Sequence, residues 1–573
     1  MAGYKNFVAT IYAPVSDTIR VAESESFEEA YSWLEKRVSI GKIYLETYRH
    51  GVRATKEQVL KARSFFESRG VKVSGGITTD LPPTKEGGFH QLCYSDLQTR
   101  EFIQNVSEFT AELFDEIILD DFYFTNCKCP ACVKAKGDRT WAEFRFELMN
   151  EVSKSVIVDP AKKVNPKVNY IIKYPNWYEH FQDLGYNLKD EPQIFDAVYT
   201  GTETRNPLYA QQHLQKYLSY FNMRLIESAA PGRNGGGWFD PFECTYNLTS
   251  YAQQAQLTLL AKPKEAMLFC LGALLQSDYS LCAPVAGQVF ADMDKYLGEL
   301  GNPIGAKTYL PFHSCGEDFV HNYIGMLGIP LEPVTKEYPE GAKVVFLAES
   351  AAHDAGIVEK VSQSLLDGAD VIVTSGFVRK TYDRGFNKIV NVSVDGSKAL
   401  VNRYMTSNNG GVSFNSLSEG SKPVLIPQMF FQTNDTWAIA SGLGENNSFP
   451  VLLKCAYGTG RVFVLAVPDD FGDLYNYPRP VLNAIRELFT QELGITLDAP
   501  SQVALFAYDN DTFALHSFLP YLLSDVSFTL PGELELEDLV NRKTVKGESC
   551  KDGTAFKISL MPGVNKVLKK IRR

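Results

Sequence analysis

The chain has 573 residues, 45% of them hydrophobic, with 57 Lys and Arg against 68 Asp and Glu and a formal charge of −11. That length exceeds what one core serves, so two to four domains are expected. The acidic balance argues against nucleic acid or an anionic membrane surface as the main partner. No apolar stretch approaches the ~20 residues of a membrane span, no basic-then-apolar leader opens the chain, and ten cysteines over this length are no disulfide framework. A cytoplasmic setting fits best, or a periplasmic one if a leader has been removed.

The first part of the chain reads as repeating strand–helix units. A strand over 7–13 leads to a helix over 26–38, whose Phe27, Ala30, Trp33 and Leu34 share one face at helical spacing. Strands over 43–48, 71–77 and 116–122 follow, separated by helices over 55–68 and 99–114. A helix over 141–157 and strands over 168–173 and 196–200 come next. The pattern then predicts a helix over 209–221, a seventh strand over 223–227, a helix over 248–261 and an eighth strand over 265–271. Eight such units predict a closed (β/α)8 barrel, the TIM barrel, over 1–303. After Gly301-Asn302-Pro303 a smaller α/β domain is expected over 304–497. It has strands over 343–348 and 370–374 around a helix over 356–366, and a β-rich stretch over 386–453. A strand over 462–467 and a helix over 479–493 close it. Alternating strands over 503–508 and 513–519 predict a small antiparallel β-sandwich over 498–573.

In such a barrel the working site lies at the carboxyl ends of the strands. The second strand ends in Glu46, Tyr48 and Arg49, and the fourth in Asp120 and Asp121. The fifth is followed by Lys173, Tyr174, Asn176 and Trp177, and the sixth by Glu203 and Arg205. The expected seventh ends in Glu227, with Asn234, Trp238, Asp240 and Glu243 in the following loop. Glycoside hydrolysis needs that set: an acid, a base or nucleophile, hydrogen-bonders for hydroxyls and an aromatic floor. The 29 Tyr and 36 Phe suit stacking on sugar rings, and equally a large core. Plainer readings stand beside each residue. Asp120-Asp121 can cap the next loop, Lys173 and Glu203 can be a structural ion pair, and Arg49 can clamp a loop. No Gly-rich phosphate turn runs into a helix and no GxSxG elbow is present. Just past the fourth strand, Cys127-x-Cys129-x-x-Cys132 suggests a metal staple, with ordinary buried thiols as the alternative.

Taken together, the chain resembles the family 42 glycoside hydrolases, three-domain β-galactosidases. The resemblance is carried by the cysteine loop, by Phe144-Arg145-Phe146-Glu147-Leu148 after it, by Leu225-Ile226-Glu227-Ser228-Ala229-Ala230-Pro231-Gly232 with Asn234 and Trp238, and by the domain order. It implies a structural zinc held by Cys93, Cys127, Cys129 and Cys132. It implies Glu227 as nucleophile and Asp121 as acid/base, with Asp120 in the place of the family's Asn. It also implies an amidotransferase-like second domain, without a nucleophilic Cys, that serves oligomerisation, so a homo-oligomer, a trimer among the options, is expected. The chain departs from the family in carrying Asp120-Asp121 where the family has Asn-Glu. The donor is one methylene shorter, and a second charge beside it raises one pKa of the pair. The sugar and linkage stay open.

The expectation is an exo-acting retaining glycoside hydrolase on a carbohydrate substrate. Glu227 and a strand-four aspartate would face each other at ~5–5.5 Å. Arg49, Glu46, Lys173, Asn176 and Glu203 would bind hydroxyls, and Trp177 and Trp238 would be apolar walls. Two rivals remain: an α-glycosidase with Asp120 as nucleophile and Glu203 as acid, and a non-catalytic carbohydrate-binding protein.

Overall fold

The computed structural model describes residues 3–81, 91–408, 413–432 and 434–572. They divide into two compact units, Met1–Gly298 and Glu299–Arg573.

In the first unit eight parallel strands close on themselves. They are β1 (Val8–Ala13), β2 (Lys42–Arg49), β3 (Lys72–Ile77), β4 (Glu116–Leu119), β5 (Asn169–Tyr174), β6 (Ala197–Gly201), β7 (Asn234–Phe239) and β8 (Glu265–Phe269). Each pairs with its neighbours in chain order, and β1 pairs with both β2 and β8. The expected (β/α)8 barrel is therefore the fold. Its strands are buried on both faces, as parallel strands under a helical coat must be. Tyr12, Tyr44, Ile118, Ile171, Tyr199, Trp238 and Met267 fill the interior as one cluster. Two glycines make room for its phenols. A Cβ on Gly76 would lie 2.7 Å from the Tyr12 hydroxyl, and one on Gly236 would lie 2.6 Å from that of Tyr199.

One assignment changes. The stretch expected as the seventh strand is helical, within the helix Leu218–Ala229, and β7 is instead Asn234–Phe239. The expected helix over 209–221 becomes helical only from Leu218. Buried Leu218, Phe221, Asn222, Leu225, Ile226 and Ala229 recur at helical spacing, whereas Met223 to Glu227 taken alone is a short apolar run that fits either element. Gly235-Gly236-Gly237 hides β7 because glycine disfavours strands. Here the packing demands it: a Cβ on Gly237 would lie 2.3 Å from the Thr258 methyl group.

The second unit holds a nine-stranded sheet. Its parallel part has spatial order Leu331–Val334, Ala306–Tyr309, Val344–Leu347, Asp370–Thr374 and Gly460–Leu465. Four antiparallel strands from the β-rich stretch extend it: Ser448–Tyr457, Thr436–Leu443, Lys398–Asn408 and Ser413–Pro427. A six-stranded and a four-stranded antiparallel sheet form the expected sandwich, the larger one joined by the short strand Pro303–Ile304 from outside the expected 498–573. Leu505, Phe513, Leu515 and Leu568 of one share a core with Val526, Phe528, Phe556 and Ile558 of the other. Among the described residues no helix is long and apolar enough to cross a membrane.

Candidate active site

Side chains alternate along a strand, so two residues beyond an interior position the chain again points down the barrel axis. Applied to the interior cluster, this rule generates the mouth. Tyr44 is followed by Glu46, Gly76 by Thr78, Ile118 by Asp120, Ile171 by Lys173, Trp238 by Asp240 and Met267 by Phe269. Tyr199 leads through Gly201 to Glu203, and a Cβ on Gly201 would lie 2.6 Å from the Glu203 Oε2.

Two linked networks result. In the first, Arg49 donates through Nε to both Glu46 oxygens at 3.0 Å, and through Nη2 to Thr78 at 2.8 Å and Asp120 Oδ2 at 2.5 Å. Glu46 also accepts from the Tyr12 hydroxyl and the Val15 amide, each at 2.7 Å, and from Thr78. In the second, the Lys173 ammonium lies 2.6 Å from Asp121, 2.8 Å from Glu203 and 3.6 Å from Asp120. It also sits 4.1 Å from the centre of the Trp238 ring. Trp238 stacks on Phe269 at 5.3 Å and meets Tyr12 at 4.6 Å. It is thus the floor under the lysine and not a wall.

The three acids do not ionise alike. Burial disfavours charge on Asp120, yet Lys173 and Arg49 overcome it and hold the carboxyl below its usual range. Burial pushes Asp121 up to about 8, assisted by the Asp120 and Glu203 charges and opposed by Lys173. Burial also raises Glu203 against the pull of Lys173. Its Oε2 has no hydrogen-bond partner, nor do Asn176 Oδ1 and Trp177 Nε1 in the segment after β5. Asn176 donates to the Glu203 carbonyl at 2.5 Å. Beside them Arg205 grips Asp240 through Nε and Nη2 at 2.9–3.3 Å.

Asp120, Asp121, Glu46, Arg49, Lys173, Asn176 and Glu203 therefore come together, with Trp238 beneath, while the ring contact of Trp177 is with Phe124. Glu227 does not join them. It lies in the last turn of its helix, where its Oε1 accepts from the Gly232 amide at 2.7 Å. That turn precedes β7, so it belongs to the amino-terminal end of the strands, and the expected facing of Glu227 and an aspartate is corrected. Thr78, Tyr12 and Tyr186, whose hydroxyl donates to the Asp121 carbonyl, were not expected. The two-residue step from the barrel interior is the signal that finds Thr78.

The four cysteines also converge. Their sulfurs all lie within 4.8 Å of one another, with Cys93 at 3.7 Å from Cys129 and 3.6 Å from Cys132. Zinc–sulfur bonds of ~2.3 Å in a tetrahedron put sulfurs ~3.8 Å apart, so this donor set fits a closed zinc site.

Comparison with known proteins agrees with this architecture. Residues 1–288 match the family described as probable glycosyl hydrolase, catalytic domain. Residues 301–470 match the second domain of the uncharacterized protein SSO3021, and residues 494–569 the probable glycosyl hydrolase C-terminal domain. The SSO3021 protein of Saccharolobus solfataricus is 25% identical over 542 residues, 86% of this chain and 87% of its own length. Among solved structures, a β-galactosidase from Bacillus circulans sp. alkalophilus superposes with a TM-score of 0.66 at 12% identity, covering 99% of both chains. The α-L-fucosidase isoenzyme 2 of Paenibacillus thiaminolyticus gives 0.66 at 12%, covering 99% of this chain and 100% of its own. Gan42B, a family 42 β-galactosidase from G. stearothermophilus, gives 0.65 at 11%, covering 100% and 99%. The chain belongs to the probable glycosyl hydrolase catalytic-domain family and shares the fold of the family 42 β-galactosidases.

Proposed function

We propose that the protein is a retaining glycoside hydrolase that removes a terminal sugar, with Asp120 as nucleophile and Glu203 as acid/base. The observation that carries this is the cluster on Lys173, in which the Asp120 carboxyl is held below its usual range while burial raises that of Glu203, two strands away. Separating the pKa values of two acids is how one site acquires both roles. The oxygens of Asp120 and Glu203 that approach Lys173 are at most about 6.4 Å apart, below the ~6.5–9.5 Å of inverting pairs. Asp121 shares a strand end with Asp120, so Glu203, just past β6, is the better placed acid to act from across the ring.

In the first half-reaction an Asp120 oxygen bonds to the anomeric carbon as the glycosidic bond breaks, and the departing oxygen takes the Glu203 proton. In the second, the Glu203 carboxylate removes a proton from water, whose oxygen displaces Asp120 and releases the sugar. Glu46, Arg49, Asn176 and Asp121 would bind hydroxyls, and Trp177 would wall the ring. The names of the structural neighbours make galactosides and α-L-fucosides the first substrates to try. Cys93, Cys127, Cys129 and Cys132 would hold a structural zinc that ties the loops after β3 and β4. Exposed Leu208, Tyr209, Tyr246 and Leu281 on the loops after β6, β7 and β8 support a homo-oligomer whose neighbouring subunit covers that rim, which sedimentation would test.

The test of mechanism is azide rescue with activated aryl glycosides. Asp120→Ala should yield a glycosyl azide of inverted configuration, and Glu203→Ala one of retained configuration. Inverted azide from Asp121→Ala would transfer the nucleophile role to Asp121. Binding without turnover across the panel would favour a carbohydrate-binding protein.

A further inference from the structure

Arg145 lies in the helix Trp141–Val152, which follows the short helix Pro130–Lys136 that carries Cys132, and is 5% exposed. Its Nη1 donates to the Asp183 carbonyl, but Nε and Nη2 have no partner. Among the described residues no carboxylate is in ion-pair contact with it. A guanidinium cannot shed its proton to escape burial, so such a group needs a counter-charge nearby. The groups that act on its charge are the Asp183 carboxylate, which is largely exposed, then the thiols of Cys132 and Cys127.

The surrounding charge has the same imbalance. Between Cys127 and Phe146 there are five cations, Lys128, Lys134, Lys136, Arg139 and Arg145, against Asp138 and Glu143, in a chain whose net charge is −11. Three of the five gather on one indole. Arg145 lies 4.9 Å from the Trp141 ring centre, Lys136 5.6 Å and Lys128 5.7 Å. Arg139 is paired with Glu147, whereas Arg145 and Lys128 share the Trp141 ring without a carboxylate in ion-pair contact among the described residues. Four thiolates on a divalent metal carry a net charge of −2 and would balance them.

We infer that Arg145 is the buried counter-charge of a tetrathiolate metal centre at Cys93, Cys127, Cys129 and Cys132, and so sets how tightly the loops after β3 and β4 hold their metal. This rests on the zinc reading above and extends it to a residue outside the ligand set.

The experiment uses the full-length protein. Zinc content is measured directly, affinity by competition with a chromophoric chelator, and the charge-transfer bands of the cobalt-substituted protein by absorption. The wild-type chain should hold one zinc. Arg145→Met should weaken zinc by about 10–100-fold, the usual effect of losing a partner outside the ligand shell, and shift the thiolate-to-cobalt bands. Arg145→Lys, which keeps the charge and guards against a folding defect, should recover most of the affinity. If zinc binds equally well and the bands are unmoved in Arg145→Met, the role of Arg145 is overturned while the zinc reading stands. If the wild-type chain holds no zinc and all four thiols react freely with a disulfide reagent, the zinc reading fails and this inference with it.

Discussion

The two ends of the barrel each hold a buried lysine among carboxylates, and they solve that problem differently. At the amino-terminal end Lys42 contacts Glu116, Glu265 and the Tyr44 hydroxyl. Every acid oxygen there has a donor: Ser74 and Asn169 serve Glu116, while Tyr44 and Tyr199 serve Glu265. Burial works against the Glu116 charge, yet Lys42 holds its carboxyl below the usual range. At the mouth Lys173 faces three acids, which cannot all be matched by one ammonium. Asp120 is held ionised, Asp121 and Glu203 are pushed up, and a Glu203 oxygen is left without a donor. A fully satisfied buried network rigidifies a fold; one with displaced pKa values and open valences marks a functional site. The difference between the two lysines is therefore one between structure and chemistry.

That contrast can be broken most forcefully at Asp120. Asp120→Ala should lower kcat by at least about 10⁴-fold, as loss of a nucleophile does, with the fold intact by circular dichroism; turnover near wild type would remove the mouth from the mechanism. Glu203→Gln should cost about 10²–10⁴-fold with a poor leaving group and far less with an activated aryl one, a split read from kcat/KM across leaving groups. Lys42→Met should behave oppositely. Leaving two half-buried carboxylates without their shared lysine should destabilise the barrel by up to about 3–5 kcal/mol, measured by urea unfolding, with kcat per folded molecule unchanged. A kcat loss matching that of a mouth variant would erase the distinction between the ends.

A further effect concerns pH. Asp121 in the folded chain keeps its proton up to about 8, whereas an unfolded Asp loses it near ~3.9. The native state therefore binds the extra proton between those values, so this contribution to stability is complete below about pH 4 and is lost as pH rises through about 8. Asp121→Asn should flatten that decline, seen as a smaller difference in urea midpoint between acidic and mildly alkaline buffer. An unchanged difference would mean that Asp121 is ionised like its neighbour.

Much of this was legible before the fold was seen. β4 with Asp120-Asp121 stood out because a buried apolar strand ending in two acids is unlike ordinary loop sequence. The cysteine loop stood out by spacing, and Cys93 came only through the family resemblance. Glu227 was misread because a five-residue apolar run carries no period of its own, and β7 was missed because its glycines are dictated by neighbours distant in sequence, Tyr199 and Thr258.

By itself the sequence determined the alternation of apolar strands and amphipathic helices, and with it the barrel, since local periodicity is written in consecutive residues. It also determined which residue types stand near strand ends. Only the tertiary structure decided which acid is charged, because that depends on Lys173 reaching Asp120, Asp121 and Glu203 at once, and on Arg49 crossing from β2 to β4. Ionisation in a buried site is a property of neighbours in space, and chain order does not record them.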